Sequence, residues 1–340
     1  MNKRVFLQTS LGLGASGMLG RAFGAERRGP RRFASDLARE GLVWRDRSLV
    51  ALGTVLSLRV AHAEAPQADR ALDAAVATLR HIESQMSLFL PDSALRRLNR
   101  DGVLNQPDPD LLQVLQLAQQ VSRRSGGSFD VTVQPLWEVF EAAQREGHLP
   151  SESAVKGARG RVGWQHLQVG AQQLRLEQRG MGVTLNGIAQ GYAADRVRAT
   201  LREHGIEHAL INTGEWAALG RPNPQRGWVL GIASPRDENV MLTRLALGGR
   251  CIATSADNQT TFSADRRFHH IFDPHTGYSP PGLSAVTVAA PSCALADALT
   301  KVMFVAGFEG ALQLAPEWGV DVLVVDKAGR WQASPGLIQV

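Results

Sequence analysis

Apolar residues along this chain of 340 residues fall into two spacings, and the balance between them shifts near its middle. From Pro66 to about Met86 the positions Leu72, Val76, Leu79, Ile82 and Met86 lie three or four apart, the stripe of an amphipathic helix opened by a proline. Asp108-Pro109 opens a second helix through Leu112, Leu115 and Val121, which Gly126-Gly127 stops. A short run at 129–133 leads through Pro135 to a helix near 136–146, and the polar, glycine-containing segment 148–163 has the character of a connection. Alternation from Leu49 to Val60 predicts one strand with Gly53-Thr54 inside it. In the second half period-two alternation dominates. Strands are predicted at 166–169, 173–178, 208–212, 228–233, 242–247, 251–255, 284–289 and 321–326, and helices at 187–204, 293–306 and 308–317. Several neighbouring strands among helices define an α+β (mixed α/β) domain with antiparallel character.

Composition narrows this picture. With 44% hydrophobic residues and 6% aromatics the chain can bury a large, mostly aliphatic core. Its net charge of +5 is concentrated at one end: residues 1–50 hold ten Lys/Arg against four Asp/Glu, which leaves the remainder near neutral. A nucleic-acid-binding face is therefore not expected. The opening combines Lys3-Arg4, a weakly apolar stretch from Leu11 to Leu19 and small residues up to Ala25, the layout of an export signal over 1–25. It resembles a twin-arginine leader with Lys-Arg in place of Arg-Arg, which implies the periplasm. Phe23 leaves the cleavage point open, and the apolar stretch falls far short of the roughly 20 residues of a membrane span. Residues 26–47 read as an Arg-rich arm, and the folded domain is expected over 48–335. Gly12-Leu-Gly14-Ala-Ser-Gly17 matches a dinucleotide fingerprint, but with no strand before it the match is a flexible leader segment, and no nicotinamide oxidoreductase is indicated. Cys251 and Cys293 are expected as free buried thiols in preference to a disulfide.

Candidate chemistry lies in short blocks. His269–Gly277, HHIFDPHTG, puts an imidazole (His270), a carboxylate (Asp273) and a Pro-x-Thr-Gly turn at an expected strand end, a rigid place for an acid/base group. Thr184-Leu-Asn-Gly187-Ile-Ala-Gln190-Gly191-Tyr192 joins a strand-like run to a helix, where backbone N–H groups favour phosphate. Asp297 opens another helix, either as a cap or as the holder of a hard cation beside a diphosphate. Ser153-Ala-Val-Lys156 matches an acyl-serine pattern without any companion motif and is set aside.

In order, the chain carries LGT (52–54), MSLFLPDS (86–93), FDVTVQPLW (129–137), TLNGIAQGYAADR (184–196), INTGEWAALG (211–220), ATSADNQTTF (253–262), HHIFDPHTG and ADALTKVMFVAG (296–307). This series resembles the ApbE family of FAD:protein FMN transferases. The resemblance implies an ApbE-like fold with a largely antiparallel sheet and packed helices. It implies binding of FAD and Mg²⁺, and transfer of the FMN moiety to a Ser or Thr hydroxyl of a partner flavoprotein with release of AMP. Carried onto this sequence, His270 becomes the catalytic base, Leu52, Phe89, Thr184, Gln190 and Ile271 line the flavin, and Gly187, through its carbonyl, and Asp297 hold the metal. The implied partner is the FMN-accepting periplasmic domain of a membrane electron-transfer flavoprotein.

The sequence departs from the family pattern in four places. Thr184 stands where Asp is usual, Gln190 where Lys or Glu is usual, and Thr213-Gly214, followed by Glu215, replaces a pair of glycines. Lys301 stands four residues after Asp297, where Thr is usual. An ammonium cannot ligate a metal, so either Lys301 partly replaces the cation or Thr300 supplies the hydroxyl while Lys301 is a solvated helix lysine. These forms resemble the NosX branch, linked to nitrous oxide reductase maturation. A second reading follows from the same departures: a non-catalytic FAD-binding carrier or maturation factor for a periplasmic electron-transfer system.

Overall fold

The computed structural model describes residues 41–223, 225–337 and 339–340. The expected leader at 1–25 and most of the arm lie outside the described residues.

Strand β1 (Val43–Ala51) and strand β2 (Thr54–His62) pair antiparallel, with Ala51 opposite Thr54. The single strand predicted over 49–60 is thus a hairpin, and its first strand begins inside the segment read as an arm. The period-two pattern hides the turn because an apolar residue, Leu52, occupies it. Leu52 (φ 50°) and Gly53 (φ 80°) both take positive φ, the geometry of a two-residue primed turn whose twist matches the strands. A leucine is rare there. Its N–H is tied to Glu83 Oε1 at 2.9 Å, and Glu83 is held by Arg80 Nη1 at 2.8 Å.

Helix α1 (Ala65–Met86) starts with proline in its first turn and buries Ala68, Leu72, Ala75, Leu79, Ile82 and Met86. Helix α2 (Ala94–Asp101) is capped by the Ser93 hydroxyl, strand β3 (Val103–Asn105) follows, and helix α3 (Pro109–Arg124) is capped by Asp108. Helix α4 (Gln134–Arg145) precedes helix α5 (Glu152–Arg159), which lies within the expected connection 148–163. Two turns of mainly polar sequence carry little periodicity; Ser151 caps α5, and Val155 and Ala158 bury its inner face. Strands β4 (Leu167–Val169) and β5 (Gln173–Leu176) join β3 in a small sheet.

Helix α6 (Ala189–Glu203) leads to strands β6 (His208–Asn212), β7 (Trp216–Leu219), β8 (Val229–Ala233), β9 (Met241–Ala246), β10 (Cys251–Ala256) and β11 (Leu283–Ala290). Helix α7 (Cys293–Trp318) and strands β12 (Asp321–Asp326) and β13 (Trp331–Ala333) complete the order. Gly307, at φ 76°, breaks α7 between the two helical pieces that the sequence separates.

The main sheet runs β1-β2-β6-β7-β10-β11-β12-β13 with every recorded pairing antiparallel. The fold is the mixed α+β arrangement expected. One face carries α1, α6 and α7 on a large aliphatic core; the β8-β9 hairpin packs a smaller cluster, including Leu230, Ile232 and Leu245, with Ile252 and Leu323 of the sheet. Strand β11, with both faces covered, is buried throughout, which explains its unbroken apolar sequence.

The two cysteines are not free thiols, contrary to expectation: Cys251 and Cys293 form a disulfide with Cα atoms 5.0 Å apart. Cys251 opens β10 opposite Ala290 at the end of β11, and the chain turns back from there into α7, whose first residue is Cys293. Sheet register, invisible in a spacing of 42 residues, brings them together.

Candidate active site

The histidine block lies in the long connection from β10 to β11. It folds back on itself: Thr261 bridges His269, Phe268 accepts from the Phe262 N–H, and the His270 N–H donates to the Thr260 carbonyl at 3.0 Å. Aromatic packing holds this return. Phe140 on α4 meets Phe262 and Phe272 at ring distances of 5.3 and 5.2 Å, contacts that add to their area burial. Ser279 accepts from the His269 N–H and donates to the His269 carbonyl, at 2.8 and 2.7 Å. Asp273 accepts from the His275 N–H at 2.9 Å, and Gly277 closes the turn onto the Asp273 carbonyl at φ 81°. At the other end of the connection, buried Asp257 binds Arg236 through both carboxylate oxygens (2.6 and 2.8 Å) and Lys327 at 2.7 Å.

His270 is half-buried, and its Nδ1 lies 3.3 Å from the Thr260 carbonyl. With Nδ1–H donating there, Nε2 is the basic nitrogen. Burial, and after it the positive charge of Lys301, push the His270 pKa down to about 4. The imidazole is therefore neutral at pH 7 and able to accept a proton. His269 is fully buried, its pKa pushed down to about 3 chiefly by burial, with its ring against Phe304. It supports the loop.

The second half of the site is the first two turns of α7. Asp195 on α6 accepts from the Ser292 hydroxyl and from the Cys293 and Ala294 N–H groups at 2.8–3.0 Å, which ties the helix start to α6. Asp297, 1% exposed, receives the Lys301 ammonium on Oδ1 at 2.5 Å and the Gly191 N–H on Oδ2 at 3.2 Å. Lys301 Nζ also donates to the Asp297 carbonyl at 3.2 Å. Gly187 lies against the Lys301 side chain, where a Cβ would sit 3.0 Å from Cε. The Thr300 hydroxyl is engaged elsewhere: it donates to the Asp297 carbonyl at 2.6 Å and shares a hydrogen bond with Ser255 at 2.7 Å.

Glu215, a departure from the family pattern to which the sequence attaches no role, belongs to this group. Its buried carboxylate accepts from the Thr254 N–H at 3.0 Å. Burial first, then the charge of Asp297, raise its pKa well above the ordinary value of 4.5, with Lys301 opposing them. Nothing local in N-T-G-E-W identifies it; an acidic residue at the head of the short apolar run W-A-A-L is the one signal available.

The remaining expected residues fall into three places. At the β1–β2 turn the Phe89 ring lies against Gly53, the residue after Leu52, where a Cβ would touch it; Leu52 is buried and Phe89 exposed. Gln190 and Thr213-Gly214 meet at the start of α6: the Thr213 hydroxyl donates to the Gln190 carbonyl at 2.8 Å, and Gly214 (φ 100°) leaves space for the Gln190 amide. The Thr184 N–H donates to the Val131 carbonyl at 2.7 Å and its hydroxyl accepts from the Asn186 N–H at 3.3 Å, shaping the turn ahead of α6. Ile271 is buried directly after His270.

The resemblance implies a divalent cation at Asp297, and the donor set does not fit one. Both carboxylate oxygens of Asp297 are engaged, one by an ammonium, which offers no lone pair. The Thr300 hydroxyl is committed to the helix and to Ser255. Among the described residues, the His/Cys/Asp/Glu groupings close enough to hold an ion are His81–Asp108–Asp110 and Asp195 with the disulfide sulfurs; neither contains Asp297.

Fold and site together define an α+β protein with a neutral, loop-anchored imidazole and a buried ammonium–carboxylate group. A sequence profile of the ApbE family matches residues 52–324. The FAD:protein FMN transferase of Klebsiella pneumoniae is 30% identical over 258 residues, covering 72% of this chain and 73% of its own length. That of Treponema pallidum is 28% identical over 317 residues, covering 86% and 87%. Among solved structures, the ApbE protein of Thermotoga maritima superposes with a TM-score of 0.77 at 26% identity, over 86% of this chain and 97% of that one. The flavinyl transferase ApbE of Pseudomonas stutzeri gives 0.75 at 26%, over 86% and 95%. The chain belongs to the ApbE family.

Proposed function

We propose that this protein transfers the FMN moiety of FAD to a hydroxyl of a partner protein. The observation that carries the reading is His270, an imidazole kept neutral by burial and by Lys301 on a loop locked from both ends. In the step proposed, the acceptor Ser or Thr oxygen attacks the riboflavin-side phosphorus of the FAD diphosphate. The bond from that phosphorus to the bridging oxygen breaks, AMP leaves with the electron pair, and His270 Nε2 takes the hydroxyl proton. In this reading the Lys301 ammonium meets the charge that develops on phosphate oxygen. Leu52 and Phe89 offer an apolar contact to the flavin ring. Mg²⁺ is left out of this sequence, because Asp297 is already paired.

The finer assignments rest on the sequence. The leader-like opening supports export to the periplasm by the twin-arginine route, and the T-L-N-G-I-A-Q-G-Y and N-T-G-E forms support the NosX branch and nitrous oxide reductase maturation. The acceptor is then the periplasmic FMN domain of a membrane electron-transfer flavoprotein. No helix among the described residues is long and apolar enough to cross a membrane. The engaged Asp297 carboxylate favours a second reading, an FAD-binding carrier without transfer chemistry. Incubating the protein with FAD and an acceptor domain separates the two: transfer adds the mass of FMN to the acceptor and releases AMP in equal amount. Bound, intact FAD with an unmodified acceptor would establish the carrier.

A further inference from the structure

We propose that Lys301 is a built-in cation that takes the place of a divalent metal, so that this protein holds the FAD diphosphate through its own ammonium. The inference rests on the FAD-dependent reading above. Lys301 is one of four lysines among 37 basic residues, and its side chain, only 18% exposed, is largely buried. It lies folded inward along Gly187, where any side chain would crowd it. Two of its three N–H groups are accounted for by the Asp297 carboxylate and carbonyl, which leaves a third for a phosphate oxygen.

The surrounding charges support this placement. Asp297 and Glu215 are buried carboxyl groups that act on one another, and the Lys301 charge acts on both. A buried carboxylate pair with no cation would be strongly disfavoured. An ion entering beside Asp297 would have to displace the ammonium, since two cations a few ångströms apart in a poorly solvated site repel strongly. A guanidinium would not serve equally: it is planar and broad, whereas the ammonium is a compact point charge. The same charge reaches His270 and helps to keep it unprotonated, so one side chain would counter the phosphate and condition the base.

The test uses the full chain after chelator treatment. Titration with Mn²⁺ followed by electron paramagnetic resonance, without FAD, is expected to show no ion held at concentrations below about 1 mM in the wild type. Lys301→Thr should gain about one bound Mn²⁺ per chain, because it frees Asp297 and adds a hydroxyl. FAD affinity, read from flavin fluorescence, should change less than about twofold with chelator in the wild type. In Lys301→Thr it should fall about tenfold with chelator and return with Mg²⁺. Lys301→Met, of similar length and without charge, should lose about tenfold in FAD affinity that Mg²⁺ does not restore. A wild type that holds one Mn²⁺ per chain and loses FAD when chelated overturns the proposal, even if no variant folds. So does a Lys301→Met variant with unchanged affinity. The transfer reading fails by a different result, FAD bound but no FMN on the acceptor, and the Mn²⁺ titration does not depend on it.

Discussion

At the scale of single residues, the site depends on which groups carry protons. His270, with its pKa pushed down to about 4, accepts a proton only while neutral. The acid limb of kcat/KM, which reports the free enzyme, is therefore expected to fall as pH drops through about 4. The limb of kcat, which reports the complex, should lie at higher pH, because a bound diphosphate offsets the Lys301 charge that holds the imidazole down. Coincident limbs would mean that Lys301 does not face the diphosphate. His270→Ala should lower transfer by roughly 10²–10⁴-fold while FAD still binds, the range for loss of a general base; transfer unchanged in rate would remove His270 from the mechanism. His270 could be found from sequence because its block is local, with the turn chemistry of Asp273, Pro274 and Gly277 written beside it. Glu215 could not. Its neighbours Thr254, Asp297 and Lys301 come from β10 and α7, and only the folded sheet brings them to it.

At the scale of elements, the two halves of the site are held by different devices. The histidine loop is fixed by aromatic packing on α4 and by the Asp257–Arg236–Lys327 group; the start of α7 is fixed by Asp195 and by the disulfide to β10. A link across 42 residues restricts the unfolded chain, so reduction is expected to lower unfolding stability by about 2–4 kcal/mol. Urea midpoints with and without reductant measure this, and a Cys251→Ala/Cys293→Ala chain should not respond to reductant. Equal midpoints for the oxidised and reduced wild type would show that the link constrains nothing. The elements that the sequence pattern identifies are those with a long one-sided apolar stripe, such as α1 and α3, with alternation, such as β6, or with a short β-branched apolar run, such as β12. Those it misses have too few residues to show a period, as in β7 and α5, or conceal a turn under an apolar residue, as at Leu52.

At the scale of the whole molecule, the buried titratable groups set how stability depends on pH. His269 and His270 are held at about 3 and about 4, against 6.5 when free. Below pH 6.5 the unfolded chain binds protons that the folded one refuses, so each histidine lowers stability as the pH falls, by about 1.4 kcal/mol per unit, until its folded pKa is reached. Glu215 acts oppositely. Its raised pKa means that above 4.5 the folded state keeps a proton the unfolded state has lost, and the stability this represents declines as pH rises. Asp130, also raised by burial, acts in the same sense from a lower starting value of 3.8. Between pH 6.5 and 4.5 the two histidines thus act against these two carboxyls. His269→Gln removes one histidine from the balance and should reduce the stability lost on acidification by about 1.4 kcal/mol per pH unit in that window, whereas Glu215→Gln should increase that loss. Urea unfolding at several pH values gives all three slopes. A wild-type slope unaffected by His269→Gln would mean that this imidazole is protonated in the folded protein, and the burial argument that keeps both histidines neutral would fail with it.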